Sequence, residues 1–115
     1  MKKILMADDD IDMLSLLKTL LGMDGYQVTT LSDKSGDIVE KIRAEKPDVL
    51  LIDIYLGEYN GLDVVRRIRR MPDLKRLQII VVSGADKAQE CLAAGADQFL
   101  LKPYMPDELL AILRQ

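Results

Sequence analysis

Four short apolar runs, each without a polar interruption, recur along the chain of 115 residues. They are rich in leucine and β-branched side chains and occupy residues 4–7, 49–52, 79–82 and 99–101. Runs of this length and composition predict strands that are buried on both faces of a sheet. A fifth segment, residues 26–31, alternates Tyr26, Val28 and Thr30 with Gln27 and Thr29, which favours a strand at the edge of the sheet.

Between these runs the apolar period lengthens to that of a helix. The first helix shows Ile11, Leu14, Leu17 and Leu21 at helical spacing, and Pro47 ends the second because the residue before a proline disfavours helical backbone. The predicted helices cover about 10–22, 38–46, 61–70, 86–94 and a last segment that begins at Pro106. Five alternations of strand and helix predict parallel strands with helices on both faces of an open sheet.

Polar side chains follow four of the five predicted strands. Asp8 and Asp9 follow the first, Asp53 the third, Ser83 the fourth and Lys102 the fifth. Ligands of open parallel sheets bind beyond the carboxyl ends of the strands, so these groups are expected to meet. Oxygen ligands without histidine or cysteine select a hard cation such as Mg²⁺. Mg²⁺ beside a carboxylate, an ammonium and a hydroxyl is typical of sites that bind and transfer a phosphoryl group.

Each of these residues also has a structural interpretation. An acid after a strand is often a helix N-cap, and for Asp10 capping is favoured by about two to one. Ser83 alone is typical of a turn, and Lys102 alone of a solvated side chain. Asp53 ends a central apolar strand, where an unpaired carboxylate is costly. The joint occurrence at four matching strand ends therefore favours a functional site.

Composition narrows the function further. The 16 basic and 19 acidic residues give a net charge of −3, which argues against nucleic acid as a direct partner. The chain has no histidine, which excludes Ser-His and Cys-His catalysis, and its single cysteine predicts a reducing, cytoplasmic compartment. Apolar runs of about five residues are far shorter than the roughly 20 that a membrane helix needs, so no membrane insertion is expected.

The ordered set of segments resembles a receiver domain of the two-component response regulators. The matching segments read ILMADD at 4–9, DVLLID at 48–53, IIVVSG at 79–84, AGAD at 94–97 and FLLKPY at 99–104, and Gly61 matches the loop glycine. The resemblance implies a flavodoxin-like (βα)5 doubly wound α/β sandwich with a parallel sheet in the order 2-1-3-4-5. It covers the whole chain, so one receiver domain over 1–115 and no output domain are expected.

The resemblance implies that Asp53 is the phosphoacceptor. The donor would be a sensor histidine kinase or a histidine phosphotransfer protein, and the phosphorylated surface would signal to an output protein. Asp9 and Asp8 would hold Mg²⁺, with Mn²⁺ as a substitute, together with Asp53 and the backbone carbonyl of Tyr55. Such a domain catalyses only its own phosphorylation and dephosphorylation.

Three further roles come from the same resemblance. Lys102 would pair with Asp53 and then with the phosphoryl oxygens. The peptide bond between Lys102 and Pro103 can be cis at low energetic cost, because the residue that follows it is proline. Ser83 occupies the position whose hydroxyl moves towards the phosphoryl group after phosphorylation. Phe99 occupies the aromatic position whose ring turns inward once that hydroxyl has moved.

The chain also departs from the family pattern. Only 19 positions separate Ser83 from Lys102, about one helical turn fewer than usual, which predicts a short fourth helix. Gly57 stands where proline is common, which predicts a more mobile loop. Tyr55 could shield a phosphoryl group and Ala85 has no polar group to orient water, so a long-lived phosphoryl form is expected.

Two other functions remain open at this point. Asp8-x-Asp10 resembles the nucleophile motif of haloacid-dehalogenase-type phosphatases, with Asp8 as the nucleophile. A receiver-like interaction module that is never phosphorylated is the second alternative. The remaining expectations are structural: Met13 and Met23 in the core, Cys91 as an unreactive small residue, and a solvated basic helix face at Arg66, Arg67, Arg69 and Arg70.

Overall fold

The computed structural model describes residues 2–31, 36–57 and 59–115. Its central sheet has five parallel strands in the order β2-β1-β3-β6-β7. The strands within these ranges are β1 Lys3–Ala7, β2 Gln27–Leu31, β3 Val49–Asp53, β4 Tyr55–Leu56, β5 Tyr59–Asn60, β6 Gln78–Ser83 and β7 Gln98–Leu101. The two-residue strands β4 and β5 form a separate antiparallel hairpin, named here the β4–β5 hairpin. The order of the five sheet strands confirms the predicted order 2-1-3-4-5.

Among the described residues, five α-helices connect and follow the sheet strands. They are α1 Ile11–Met23, α2 Ile38–Glu45, α3 Gly61–Arg69, α4 Ala88–Ala94 and α5 Pro106–Leu113. Their ends agree with the predicted ends within two residues. The seven residues of α4 confirm the short fourth helix. In the described part of the chain, no helix has the length and apolar character needed to cross a membrane.

Two apolar layers enclose the sheet. Leu14, Leu17 and Leu21 of α1 and Leu109 and Leu113 of α5 pack on one face. The helices α2, α3 and α4 cover the other face, where Cys91 is fully buried. Every residue of β3 is buried, and β2 lies at the edge. The predicted flavodoxin-like, doubly wound fold is therefore confirmed.

The core prediction for Met23 in α1 is wrong. Met23 is 81% exposed and Ile11 is also exposed, although Met13 packs on the core. Met23 lies about 200° around the helix from buried Leu21 and so faces water. Cys91, by contrast, has its pKa raised by burial, in agreement with an unreactive core residue.

Arg69 corrects the prediction of a solvated basic face on α3. Its guanidinium donates to the carbonyl oxygens of Gly95 and Leu77 and to the carboxylate of Asp97 at 2.7–2.8 Å. These bonds tie α3 to the loops that precede β6 and β7. Arg66 and Arg67 remain exposed, as predicted for the whole face.

Candidate functional site

Four strand ends meet at the carboxyl edge of the sheet. Asp8 directly follows β1, Asp53 and Ser83 end β3 and β6, and Lys102 directly follows β7. The connections diverge between β1 and β3, so Asp8 and Asp53 flank the switch point at which ligands bind in open α/β sheets. The local reason is that each apolar run ends at its first polar side chain, and parallel strands bring these ends to one edge of the sheet.

Lys102 joins the two buried carboxylates. Its Nζ lies 2.6 Å from Oδ2 of Asp53 and 2.9 Å from Oδ2 of Asp8. Asp8 and Asp53 are only 6% and 9% exposed, so their charges need this partner. Burial acts to lower the pKa of Lys102, but the hydrogen bonds to Asp53 and Asp8 outweigh it and raise that pKa. The lysine is therefore a fixed cation at neutral pH.

The backbone orients both carboxylates from the other side. The amide of Asp10 donates to Oδ1 of Asp8, and the amide of Tyr55 donates to Oδ1 of Asp53, both at 3.0 Å. Aspartate side chains commonly accept a bond from the amide two residues on. Asp10 itself caps α1 by accepting from the amide of Met13 at 3.0 Å, which confirms its capping role.

Asp9 lies apart from the lysine-bridged pair. Its side chain is exposed, and Oδ2 accepts a 2.9 Å hydrogen bond from the amide of Gly57 in the β4–β5 hairpin. Across residues 2–31, 36–57 and 59–115, no three acidic side chains form a ready metal-binding group. The donor chemistry nevertheless fits Mg²⁺, because Asp8 and Asp53 offer oxygens only and already share a cation, the Lys102 ammonium.

Gly61 brings the β4–β5 hairpin back against the end of β3. Its amide donates to the carbonyl of Ile54 at 2.6 Å. A Cβ at Gly61 would overlap the carbonyl oxygen of Asp53 and lie 2.9 Å from Cα of Ile54. This position requires glycine for space, which gives the matching loop glycine of the sequence a steric reason.

Ser83 and Phe99 occupy neighbouring strands. Ser83 is fully buried, its Oγ accepts from the amide of Ala85 at 3.2 Å, and its carbonyl accepts from the amide of Lys102 at 2.7 Å. The peptide bond between Lys102 and Pro103 is cis. Phe99 is half-buried and packs against the core layer of α2, α3 and α4.

Tyr104 is a neighbour of the site to which sequence reasoning assigned no role. Its hydroxyl donates to the sulfur of Met13 at 3.7 Å, which ties the loop after β7 to α1. Burial raises the pKa of Tyr104 to about 12, with further contributions from the charges of Asp8 and Asp53 and an opposing one from Lys102. The aromatic residue directly after Lys-Pro was the available sequence signal.

Tyr104 of the metal-free protein is expected to lose its phenol proton at a higher pH than an ordinary tyrosine. Its folded pKa of about 12 exceeds the ordinary value of 10, so the native state holds this proton longer. The stability that it contributes is complete below pH 10 and is lost as pH rises towards 12. Ultraviolet absorbance of tyrosinate should show a late step in the native protein that is absent in Tyr104→Phe. Absorbance curves with the same last step in the wild type and in Tyr104→Phe would contradict this.

The family model for the response regulator receiver domain matches residues 4–114. The chain belongs to this family. It is 30% identical to the chemotaxis protein CheY of Thermotoga maritima, over 99% of this chain and 96% of CheY. It is also 37% identical to the transcriptional regulatory protein KdpE of Staphylococcus aureus, over 97% of this chain but only 48% of KdpE.

A solved structure extends this similarity to three dimensions. The receiver domain matches the response regulator TrrA of Thermotoga maritima, in complex with Mg²⁺-BeF, with a TM-score of 0.84 and 28% identity. The match covers 99% of this chain and 97% of TrrA. Receiver domains are signalling domains of two-component systems rather than conventional enzymes.

Proposed function

We propose that this receiver domain accepts a phosphoryl group on Asp53 from a histidine kinase or a histidine phosphotransfer protein. The observation that carries the proposal is the Lys102 ammonium held 2.6 Å from the buried Asp53 carboxylate at the switch point of the sheet. An oxygen of Asp53 attacks phosphorus, the P–N bond breaks, and its electron pair leaves with the donor imidazole. The product is an acyl phosphate on Asp53.

Mg²⁺ would be held by Asp8, Asp9, Asp53 and the backbone carbonyl of Tyr55, with Mn²⁺ as a substitute. When bound, the cation neutralises charge on the phosphoryl oxygens. The fit of the oxygen donors and the Mg²⁺-BeF complex of TrrA support this assignment. Lys102 has a separate role: it lowers the cost of charge on Asp53 and is placed to follow the phosphoryl group once that group is attached.

The switch follows from the new charge. A phosphoryl group adds roughly −1.5 to −2 charge at pH 7, which draws hydroxyl and ammonium donors towards it. Ser83 carries a buried hydroxyl at the end of the neighbouring strand. Its movement towards the phosphoryl group would break the hydrogen bond that it accepts from the amide of Ala85. Phe99 would then turn inward and change the surface that an output protein reads.

Intact mass after incubation with acetyl phosphate and Mg²⁺ tests the phosphoacceptor. We expect the mass of one phosphoryl group on the wild type and none on Asp53→Asn, because an amide oxygen cannot form the acyl phosphate. Asp48→Asn is the matched control, since Asp48 precedes β3 at the opposite end and accepts from the amide of Lys3. Phosphorylation of Asp48→Asn should match that of the wild type.

Other results would replace the proposal. If the wild type gains no mass, the result would favour an interaction module that is never phosphorylated. Steady release of phosphate that stops in Asp8→Asn would indicate a phosphatase that uses Asp8. Phosphorylation that persists in Asp53→Asn would place the acceptor elsewhere.

The phosphoryl form is expected to last minutes or longer with Mg²⁺ present. Ala85 carries no polar group that could orient a hydrolytic water, and Tyr55, 63% exposed, stands two residues after the acceptor as a shield. Ala85→Gln should shorten the lifetime, because water positioning accelerates hydrolysis. Decay of the phosphoryl mass over time gives the measurement, with Ala93→Gln on the exposed side of α4 as control. Loss from the wild type within seconds would rule this out.

A further inference from the structure

Gly57 contacts the carboxylate of Asp9 from the turn of the β4–β5 hairpin. Its amide nitrogen lies 2.9 Å from Oδ2 of Asp9, and its φ is +60°. Glycine adopts this left-handed backbone without strain. Proline has a φ near −65° and no N–H, so it would lose both the conformation and the hydrogen bond. The departure from the family pattern at this position therefore adds a donor to the site.

We propose that Gly57 is a positioning residue for the metal site, and that its amide sets the orientation of the Asp9 carboxylate. The inference rests on the proposed function, because it takes Asp9 as a Mg²⁺ ligand. A hydrogen bond to one carboxylate oxygen restricts rotation of the group and so limits the directions in which the other oxygen can point. Ligand carboxylates in metal sites are commonly held in this way by outer partners.

The β4–β5 hairpin is anchored well enough to hold this amide in place. Leu56 is buried in the core and pairs with Tyr59 across the hairpin. The Tyr59 hydroxyl donates to the carbonyl of Gly36, in the segment that precedes α2. The hairpin also begins at Tyr55, whose amide holds Asp53. One short segment thus orients Asp53 through Tyr55 and Asp9 through Gly57.

The consequence is that Mg²⁺ affinity depends on the conformation of the hairpin. Loss of an outer hydrogen-bond partner costs roughly 10- to 100-fold in metal affinity in characterised sites. Asp9 is exposed, so the lower end of that range applies. A hairpin held in another conformation, by a partner protein or by substitution, would then weaken the metal site without touching a ligand.

Calorimetric titration of the unphosphorylated protein with Mg²⁺ tests the role of Gly57. Gly57→Pro should bind Mg²⁺ roughly tenfold more weakly than the wild type. Gly57→Asn is the matched variant, because asparagine tolerates left-handed backbone and keeps the N–H. Its affinity should stay within about threefold of the wild type. Tyr59→Phe removes the bond to Gly36 but keeps the Gly57 amide, so its loss of affinity should be smaller than that of Gly57→Pro.

A second measurement uses the wild type alone, so it does not depend on whether the variants fold. In the ¹H–¹⁵N spectrum of the wild type, the Gly57 amide should shift during a Mg²⁺ titration with the same midpoint as the calorimetric one. Equal affinities for Gly57→Pro and the wild type, or a Gly57 amide that Mg²⁺ leaves unmoved, would overturn the inference alone. A wild type that binds no Mg²⁺ would overturn both this inference and the metal part of the proposed function.

Discussion

Lys102→Met is expected to bind Mg²⁺ roughly tenfold more tightly than the wild type, a gain of about 1.4 kcal/mol. The Lys102 ammonium lies 2.9 and 2.6 Å from oxygens of Asp8 and Asp53, the carboxylates assigned to the metal. The ammonium therefore competes with Mg²⁺ for the negative charge of these carboxylates. Its removal leaves two buried carboxylates that need another cation. Calorimetric titration of the unphosphorylated proteins gives both affinities.

The same substitution is expected to slow phosphorylation of Asp53 by roughly 100-fold or more, the usual effect of losing one donor that stabilises a transition-state charge. A bound metal would not replace this donor, because Lys102 would supply N–H groups to a phosphoryl oxygen and a metal ion has none. The rate of mass gain with acetyl phosphate at saturating Mg²⁺ separates this effect from affinity.

Lys18→Met is the matched control for both measurements. Lys18 is exposed on α1, so this change removes the same charge away from the site. It should leave Mg²⁺ affinity and phosphorylation rate near those of the wild type. Weaker Mg²⁺ binding in Lys102→Met would show that the lysine organises the carboxylates rather than competing for them, and would contradict the prediction.

Gly61→Ala is expected to destabilise the fold by about 3 kcal/mol, with a fall in Tm of roughly 12 °C. The added Cβ would overlap the carbonyl oxygen of Asp53 and lie 2.9 Å from Cα of Ile54. Both are backbone atoms at the end of a buried strand, so no side-chain rotation can relieve the contact. Thermal unfolding followed by circular dichroism gives the measurement.

Gly22→Ala is the matched control, and it is expected to change the stability of the fold in the opposite direction. Gly22 lies in α1, and a Cβ there meets nothing within 4 Å. Alanine should raise stability by up to about 0.5–1 kcal/mol because it loses less backbone entropy in a helix. A Gly61→Ala protein as stable as the wild type would mean that the end of β3 can move away from the hairpin.

Much of the scaffold could be predicted from the order of apolar and polar residues. The unbroken runs at β3 and β6 identify central strands, because only strands buried on both faces need apolar residues on both sides. The helices follow from the helical spacing of apolar residues and from nearby prolines and glycines. The prediction failed at Met23 because a side chain at the end of a helix can be apolar and still face water.

The candidate site was predictable as a set of residues but not as a set of contacts. Parallel strands bring their carboxyl ends to one edge, so Asp8, Asp53 and Lys102 had to lie near one another. The bridge of Lys102 to both carboxylates depends on distances of a few ångströms between loops far apart in the chain. Sequence spacing carries no information on that scale.

The sequence by itself determined the fold, the family and the polar groups at the edge of the sheet. Apolar periodicity and strand-end chemistry are local properties, so they can be read without coordinates. Only the tertiary structure decided that Gly57 binds Asp9, that Arg69 joins α3 to the loops before β6 and β7, and that the half-buried Tyr104 contacts Met13. The contacts to Asp9, Gly95 and Met13 join segments that are far apart in the chain, and only the packing of the whole domain sets their distances.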